Sequence, residues 1–219
     1  MTTKTPEYQA PPISLSHLSA FTDNIYAFSM TILITTLRLP SLSEKEASTG
    51  LFIALGNEWR FLAIYAISFL SISGYWLLQH TLYTHILKTD RLFIWLNILL
   101  LLAVTFLPFP TALMGKYGRH QGTAFIYGLV MVTTYFLINL ITWYACRNRR
   151  LVSPEIPDAA IRLFRIRLMA PLLLAVAGTL LSLSYIRLAF LFFALVAVAN
   201  SFPWFRFFKF NGFQKPGNS

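Results

Sequence analysis

The chain has 219 residues, of which 56% are hydrophobic, 16% aromatic and only 12% charged. A soluble domain carries about a quarter charged residues, so this composition excludes an ordinary soluble enzyme, a disordered chain and a secreted disulfide scaffold. The 18 Lys and Arg against 8 Asp and Glu give a net charge of +10, which in so apolar a chain reflects basic loops beside anionic lipid rather than nucleic acid.

A membrane-spanning helix needs roughly 20 mostly apolar residues. Six segments meet this requirement in chain order: 17–37, 59–82, 92–113, 123–146, 168–185 and 188–204. The first is not a signal peptide: it has no basic leader and no small-residue cleavage site, and it carries Asp23. The third is expected to end or kink at Pro108 and Pro110. The last two could be one long helix, interrupted only by Ser184-Tyr185-Ile186-Arg187. Charge decides between the alternatives. Six spans with the N-terminus inside place 12 Lys and Arg on the cytoplasmic side against 6 outside. Five spans give 9 against 8 and leave Arg187 in hydrocarbon, at about 3 kcal/mol or more.

The expected fold is therefore all-α, an integral membrane six-helix bundle with both termini cytoplasmic. It divides into a mobile cytoplasmic N-terminus (1–16), a six-span domain (17–204) and a cytoplasmic tail (205–219). The 41–56 segment reads as a longer outer loop with an interfacial turn or short helix. The 147–167 segment reads as the main cytoplasmic loop, its basic amphipathic run 161–167 lying on the lipid surface. Phe202, Trp204, Phe205, Phe207, Phe208 and Phe210 alternate with Arg206 and Lys209 and read as an interface anchor.

Asp23 is the one acid inside a span, and such groups face protein or water rather than lipid. On the same helix His17, Phe21, Asn24, Phe28, Thr31 and Thr35 recur at steps of three and four, so they share one stripe. Ile32 flanks it, and Ile25, Met30 and Leu33 make the opposite side. Two readings fit the stripe. In one, the hydroxyls bond back to their own helix and Asn24 packs between spans. In the other, the stripe lines a water-filled pore, with apolar side chains such as Phe28 and Ile32 as a constriction that gates by dewetting.

No catalytic or metal-binding constellation is present. His80 and His85 are five apart and do not share a helix face, there is no paired intramembrane carboxylate, and the single cysteine, Cys146, excludes an intrachain disulfide. No zinc-finger spacing or aromatic–basic nucleic-acid motif occurs. No cofactor is expected, and the chain does not read as an enzyme. The Thr-Val-Gly-Tyr-Gly filter of common potassium channels is also missing.

Phe21-Thr22-Asp23, with Ala27 four residues after the acid, resembles the F-S-D-x-x-x-A signature of the lysosomal potassium channel family (the transmembrane protein 175 family), in its short bacterial branch. Ser68-Phe69, Tyr75-Trp76 and His80 follow in order, then Trp95-x-Asn97, then Pro108-Phe109-Pro110-Thr111. The similarity runs over roughly residues 15–125. It implies a potassium-permeable cation channel of the bacterial cell membrane, built as a homotetramer because one six-helix unit is present. It further implies that the first helix lines the pore, with bulky apolar residues at the narrowest point. The resemblance also implies that Phe21 and Asp23 pack with Trp76, His80 and Asn97. Two positions depart from the pattern: His17 stands where the family has Arg, and Phe28 where it has Ile or Leu, followed by Ile32 and Thr35. Two rival classes remain. One is a proton-coupled secondary transporter using Asp23 and His80, against which no inverted repeat or broken helix is visible. The other is a structural membrane protein without transport.

Overall fold

The computed structural model describes residues 14–37, 50, 52–53, 56 and 58–201. Most of the N-terminal segment, most of the 41–56 loop and the aromatic run from Phe202 onward lie outside the described residues. Helix α1 spans Leu15–Ile32 and continues as a 3-10 turn, Leu33–Thr36. After it come α2 (Trp59–Tyr83), α3 (Arg91–Phe106), α4 (Pro108–Tyr117) and α5 (Gln121–Cys146). Helices α6 (Asp158–Leu181) and α7 (Ile186–Ser201) complete the bundle. Among the described residues there is no β-strand, only an isolated bridge between Ile86 and Val152.

Four helical stretches are long and apolar enough to cross a bilayer: α2, α3 with α4, α5 and α6. Helix α7 is apolar but shorter. Helix α1 with its 3-10 turn makes the sixth layer and is less apolar because of its polar residues. It packs on α2 and α3, and its 3-10 end on α4, while α5 binds α3, α4 and α6, and α7 joins α6 to α2. Side-chain contacts give the register of the first pair. Thr22 meets Tyr83, Tyr26 meets Gln79 and Met30 meets Ser73, so α1 and α2 run antiparallel.

The prolines act as the sequence suggests. Pro108 has no N–H for the carbonyl of Val104, and Leu107 N donates to that oxygen instead, at 3.1 Å, tightening the turn that separates α3 from α4. Three boundaries differ from expectation. Ser14 caps α1 by accepting from His17 N, so the helix takes in Leu15 and Ser16. The fifth span begins at Asp158, ten residues before Leu168. Pro157 precedes it and Asp158 lies in its first turn, where an acid favours the helix dipole. The basic run 161–167 is thus the start of α6 and not a separate surface helix. The turn before α7 comes at 182–185, and Gly128 and Gly178 let the α6–α7 pair dock closely. A Cβ at Gly178 would stand 2.9 Å from Phe193, and one at Gly128 would meet Thr179 and Phe193.

One end of the bundle is tied by loop contacts. Leu87 N donates to Leu151 O at 2.9 Å and Ser153 N to His85 O at 3.2 Å. Asp90 caps α3 there, accepting from Phe93 N at 2.9 Å, Tyr144 Oη at 2.6 Å and Arg150 Nε at 3.1 Å. Burial pushes its carboxyl up, but these hydrogen bonds and the Arg150 charge outweigh burial and hold it below the ordinary aspartate value. A depressed value means that the ionised cap stabilises the fold above the usual aspartate range and ceases to do so as pH falls through it. Asp90→Ala should lower stability at neutral pH by about 1 kcal/mol. In detergent-phase thermal unfolding, the gap to wild type should narrow below about pH 4.

Candidate functional site

Helix α1 has two polar faces. The inward one is Leu18, Thr22, Tyr26, Ser29 and Leu33, all buried. The outward one holds His17, Phe21, Asn24, Ala27, Phe28, Thr31, Ile32 and Thr35, all exposed on the single chain. Phe28 is 64% exposed. Of the residues assigned by pattern to the opposite side, Leu33 is buried, while Ile25 and Met30 are half-buried.

The outward hydroxyls bond back to their helix, Thr31 to Phe28 O at 2.8 Å and Thr35 to Ile32 O at 2.7 Å. Each such bond uses the hydroxyl hydrogen and leaves oxygen lone pairs unspent. The face therefore presents acceptors, the part of a hydroxyl that a cation can use, between the apolar side chains of Phe28 and Ile32.

The inward face is fastened by a buried amide belt. Tyr26 Oη donates to Gln79 Oε1 at 2.7 Å. Gln79 Nε2 donates to Asn97 Oδ1 at 2.6 Å and to Tyr83 Oη at 2.9 Å. Tyr83 Oη donates to Asn97 Oδ1 at 2.8 Å, and Asn97 Nδ2 to Phe93 O at 2.7 Å. Tyr83 has one hydroxyl hydrogen and gives it to Asn97, so Thr22, 3.3 Å away, must be the donor in their contact. Three helices, α1, α2 and α3, meet at this belt.

The motif residues divide between two places. Asp23 is half-buried and accepts from Trp76 Nε1 at 2.7 Å. His80, exposed, lies against the Trp76 indole with ring centroids 5.4 Å apart. Asn97 belongs instead to the amide belt, and Phe21 lies on the outward face, 52% exposed. Pattern reading missed Tyr26, Gln79 and Tyr83. The available signal was Gln79, an uncharged amide inside a hydrocarbon-length segment, with Tyr83 one turn later. A second cluster, Ser68 with Thr111 at 2.8 Å and with Tyr127 at 3.1 Å, ties α2 to α4 and α5. Among the described residues no group of three His, Cys, Asp or Glu could hold a metal ion.

This geometry coincides with a family match. The model of the endosomal/lysosomal potassium channel TMEM175 matches residues 17–108, from the start of α1 to the proline break. A potassium channel of Streptomyces collinus is 32% identical over 154 residues, covering 68% of this chain and 73% of that protein. The chain belongs to the TMEM175 family. A second relative, a potassium channel of Chamaesiphon minutus, is 30% identical over 141 residues, 63% of this chain and 69% of its own. The crystal structure of a lysosomal potassium-selective channel TMEM175 homologue from Chamaesiphon minutus superposes with a TM-score of 0.75 at 25% identity, covering 85% of this chain and 96% of that one. Like its family, the chain is an integral, multi-pass membrane protein.

The belt should dominate the stability of this region. Asn97→Leu would leave Tyr83 and Gln79 short of an acceptor, at about 1–3 kcal/mol per buried unpaired group. Trp76→Phe removes one donor from a half-buried carboxylate and should cost less. Thermal unfolding of the two variants in the same detergent measures the order.

Proposed function

We propose that this chain is one subunit of a potassium-permeable, modestly potassium-selective cation channel of a bacterial cell membrane, a homotetramer whose pore is lined by the outward face of α1. The observation that carries the reading is that face. Asn24, Thr31 and Thr35 are exposed on the single chain, and polar groups in a bilayer face protein or water rather than lipid. Cyclic symmetry satisfies them all at once, since identical faces then surround one axis. Bacterial relatives named as potassium channels support the same assignment.

In this arrangement residues 17–204 form the channel domain, and the Lys and Arg distribution puts both termini in the cytoplasm. Phe28 and Ile32, four residues apart, make two rings about 6 Å apart along the axis. Rings of bulky apolar groups exclude water and impose a desolvation barrier on a cation. Thr31 and Thr35 offer oxygen to a partly dehydrated ion between and beyond the rings. Potassium sheds water more readily than sodium, so the barrier favours it without a carbonyl filter. The carrier alternative needs Asp23 and His80 as a proton relay. Among the described residues Asp23 accepts from Trp76 and His80 meets that indole by ring contact, and no hydrogen bond joins Asp23 to His80.

Purified protein in liposomes should pass a potassium-driven flux that needs no proton gradient. Phe28→Ala or Ile32→Ala should raise that flux and weaken the preference for potassium over sodium, whereas Ile25→Ala, packed against the core, should change neither. Unchanged currents from both ring variants would move the constriction off α1. Mass measurement in detergent should give four copies, and Asp23→Ala should reduce the tetramer fraction before it alters ion preference.

A further inference from the structure

Away from α1, a cleft of about 1350 Å³ opens between the end of α5 and the start of α6. It is larger than the roughly 300–1,000 Å³ of pockets that enclose small ligands. Its mouth carries Arg149, Arg162 and Arg165 with one acid, Asp158. That acid is spent on Arg149, whose Nη2 stands 2.6 Å from it and whose Nη1 donates to Pro154 O. Neither Arg162 nor Arg165 forms a salt bridge among the described residues, so two guanidiniums remain at the mouth. Deeper in, the walls are mostly apolar, with Phe136 and Leu140 from α5 and Ile166, Met169 and Leu172 from α6; the polar members, Asn139 and Thr142, donate to backbone carbonyls. Trp143 lies at the rim, with the Arg147 guanidinium 4.9 Å over its ring, the placement of an aromatic at a membrane–water boundary.

The dimensions select the occupant. From Arg162 to Leu172 is ten residues of helix, about 15 Å, half of a hydrocarbon core of about 30 Å. A slot one leaflet deep, cationic at the water end and apolar below, matches the amphipathic shape and charge of one phospholipid. We propose that this cleft binds a single anionic phospholipid, its phosphate held by Arg162 and Arg165 and an acyl chain laid along Phe136, Leu140, Met169 and Leu172. Basic pockets between spans are the usual seats of acidic head groups. The site is built from α5 and α6, whereas α1 packs on α2 and α3 and its 3-10 end on α4, so it does not depend on where the pore runs.

Native mass spectrometry of the full-length protein with phosphatidylglycerol or phosphatidylcholine tests this directly, since the readout is bound lipid and not current. Wild type should retain phosphatidylglycerol in preference to phosphatidylcholine. The double variant Arg162→Gln/Arg165→Gln should lose that retention by roughly tenfold or more, the scale of two arginines at a membrane surface. Lys116→Gln/Arg119→Gln, in the last turn of α4 and the turn that follows it at the other end of the bundle, should keep it. Leu172→Trp, which fills the apolar wall, should also reduce it, and millimolar inorganic phosphate should not displace the lipid. Equal retention of the two lipids overturns the proposal, as does full retention by the arginine double variant. Displacement by free phosphate, or full retention in Leu172→Trp, would make this an anion site with no chain-binding slot and overturns it equally.

Discussion

Everything in this bundle follows from one constraint: α1 carries polar groups on both sides of a helix that crosses a medium with nothing polar to offer. Backbone and side-chain groups in a bilayer must be satisfied from within the protein. The inward side solves this through Gln79 and Asn97, which between them engage Tyr26 and Tyr83, and Tyr83 in turn takes the Thr22 hydroxyl. Among the described residues the outward side has no such cross-helix partner: His17 meets Ser14 of its own helix start. Its threonines spend their hydrogens on their own carbonyls, which lowers the cost of exposure without removing it. On the single chain the outward side is therefore the less satisfied of the two, and it is on this edge that the proposed assembly rests.

The remaining helices are arranged to leave that edge open. Two polar nodes set the register of α2, the amide belt at Gln79 and the hydroxyl cluster at Ser68. Eleven residues separate them, about 16 Å of helix. The first node gathers α1 and α3, the second α4 and α5, so α2 is the common member. The proline break before Pro108 serves the second node. Thr111, one turn into α4, donates to Leu107 O at 2.8 Å and takes part in the Ser68 cluster. On the far side, Asn139 donates to Leu168 O at 3.0 Å, just before Pro171. Pro171 has no N–H for the carbonyl of Arg167, and the Asn139 bond reaches the next carbonyl along, beside that gap in the ladder.

The spans were legible because a hydrocarbon slab about 30 Å thick imposes length and apolarity on any segment that crosses it. The exposed stripe of α1 was legible for a related reason: polar residues at helical spacing are rare inside a span and conspicuous when present. The inward stripe was not, because Thr22, Tyr26, Ser29 and Leu33 repeat at the same steps of four, three and four. Periodicity alone cannot say which of two polar faces meets the bundle. Asn97 was tied by resemblance to Asp23, yet its oxygen is taken by Gln79 and Tyr83, and only the positions of three helices together reveal that. The start of α6 was hidden for another reason. Hydropathy marks where a helix becomes apolar, whereas hydrogen bonding marks where it begins, and at Asp158 the two differ by ten residues.

The two faces of α1 also differ in how firmly each part of the helix is held. At the Thr22–Tyr26 end, movement would break buried hydrogen bonds to Tyr83 and Gln79, each shared with Asn97. Toward the Leu33 end the attachment among the described residues is packing: Ser29 turns its hydroxyl back to Ile25 O at 2.8 Å, Leu33 is fully buried, and Ser73 meets the Met30 sulfur across the helices at 3.9 Å. The helix then passes into a 3-10 turn whose Thr35 and Thr36 hydroxyls are again bonded internally. Displacing this end costs contact area, a graded quantity, while displacing the other end strands buried donors and acceptors, an abrupt one. Asn24 thus belongs to the fixed part of the helix and Thr31, Ile32 and Thr35 to the compliant part. Phe28 sits one residue before Ser29, where the hydrogen-bonded attachment gives way to packing.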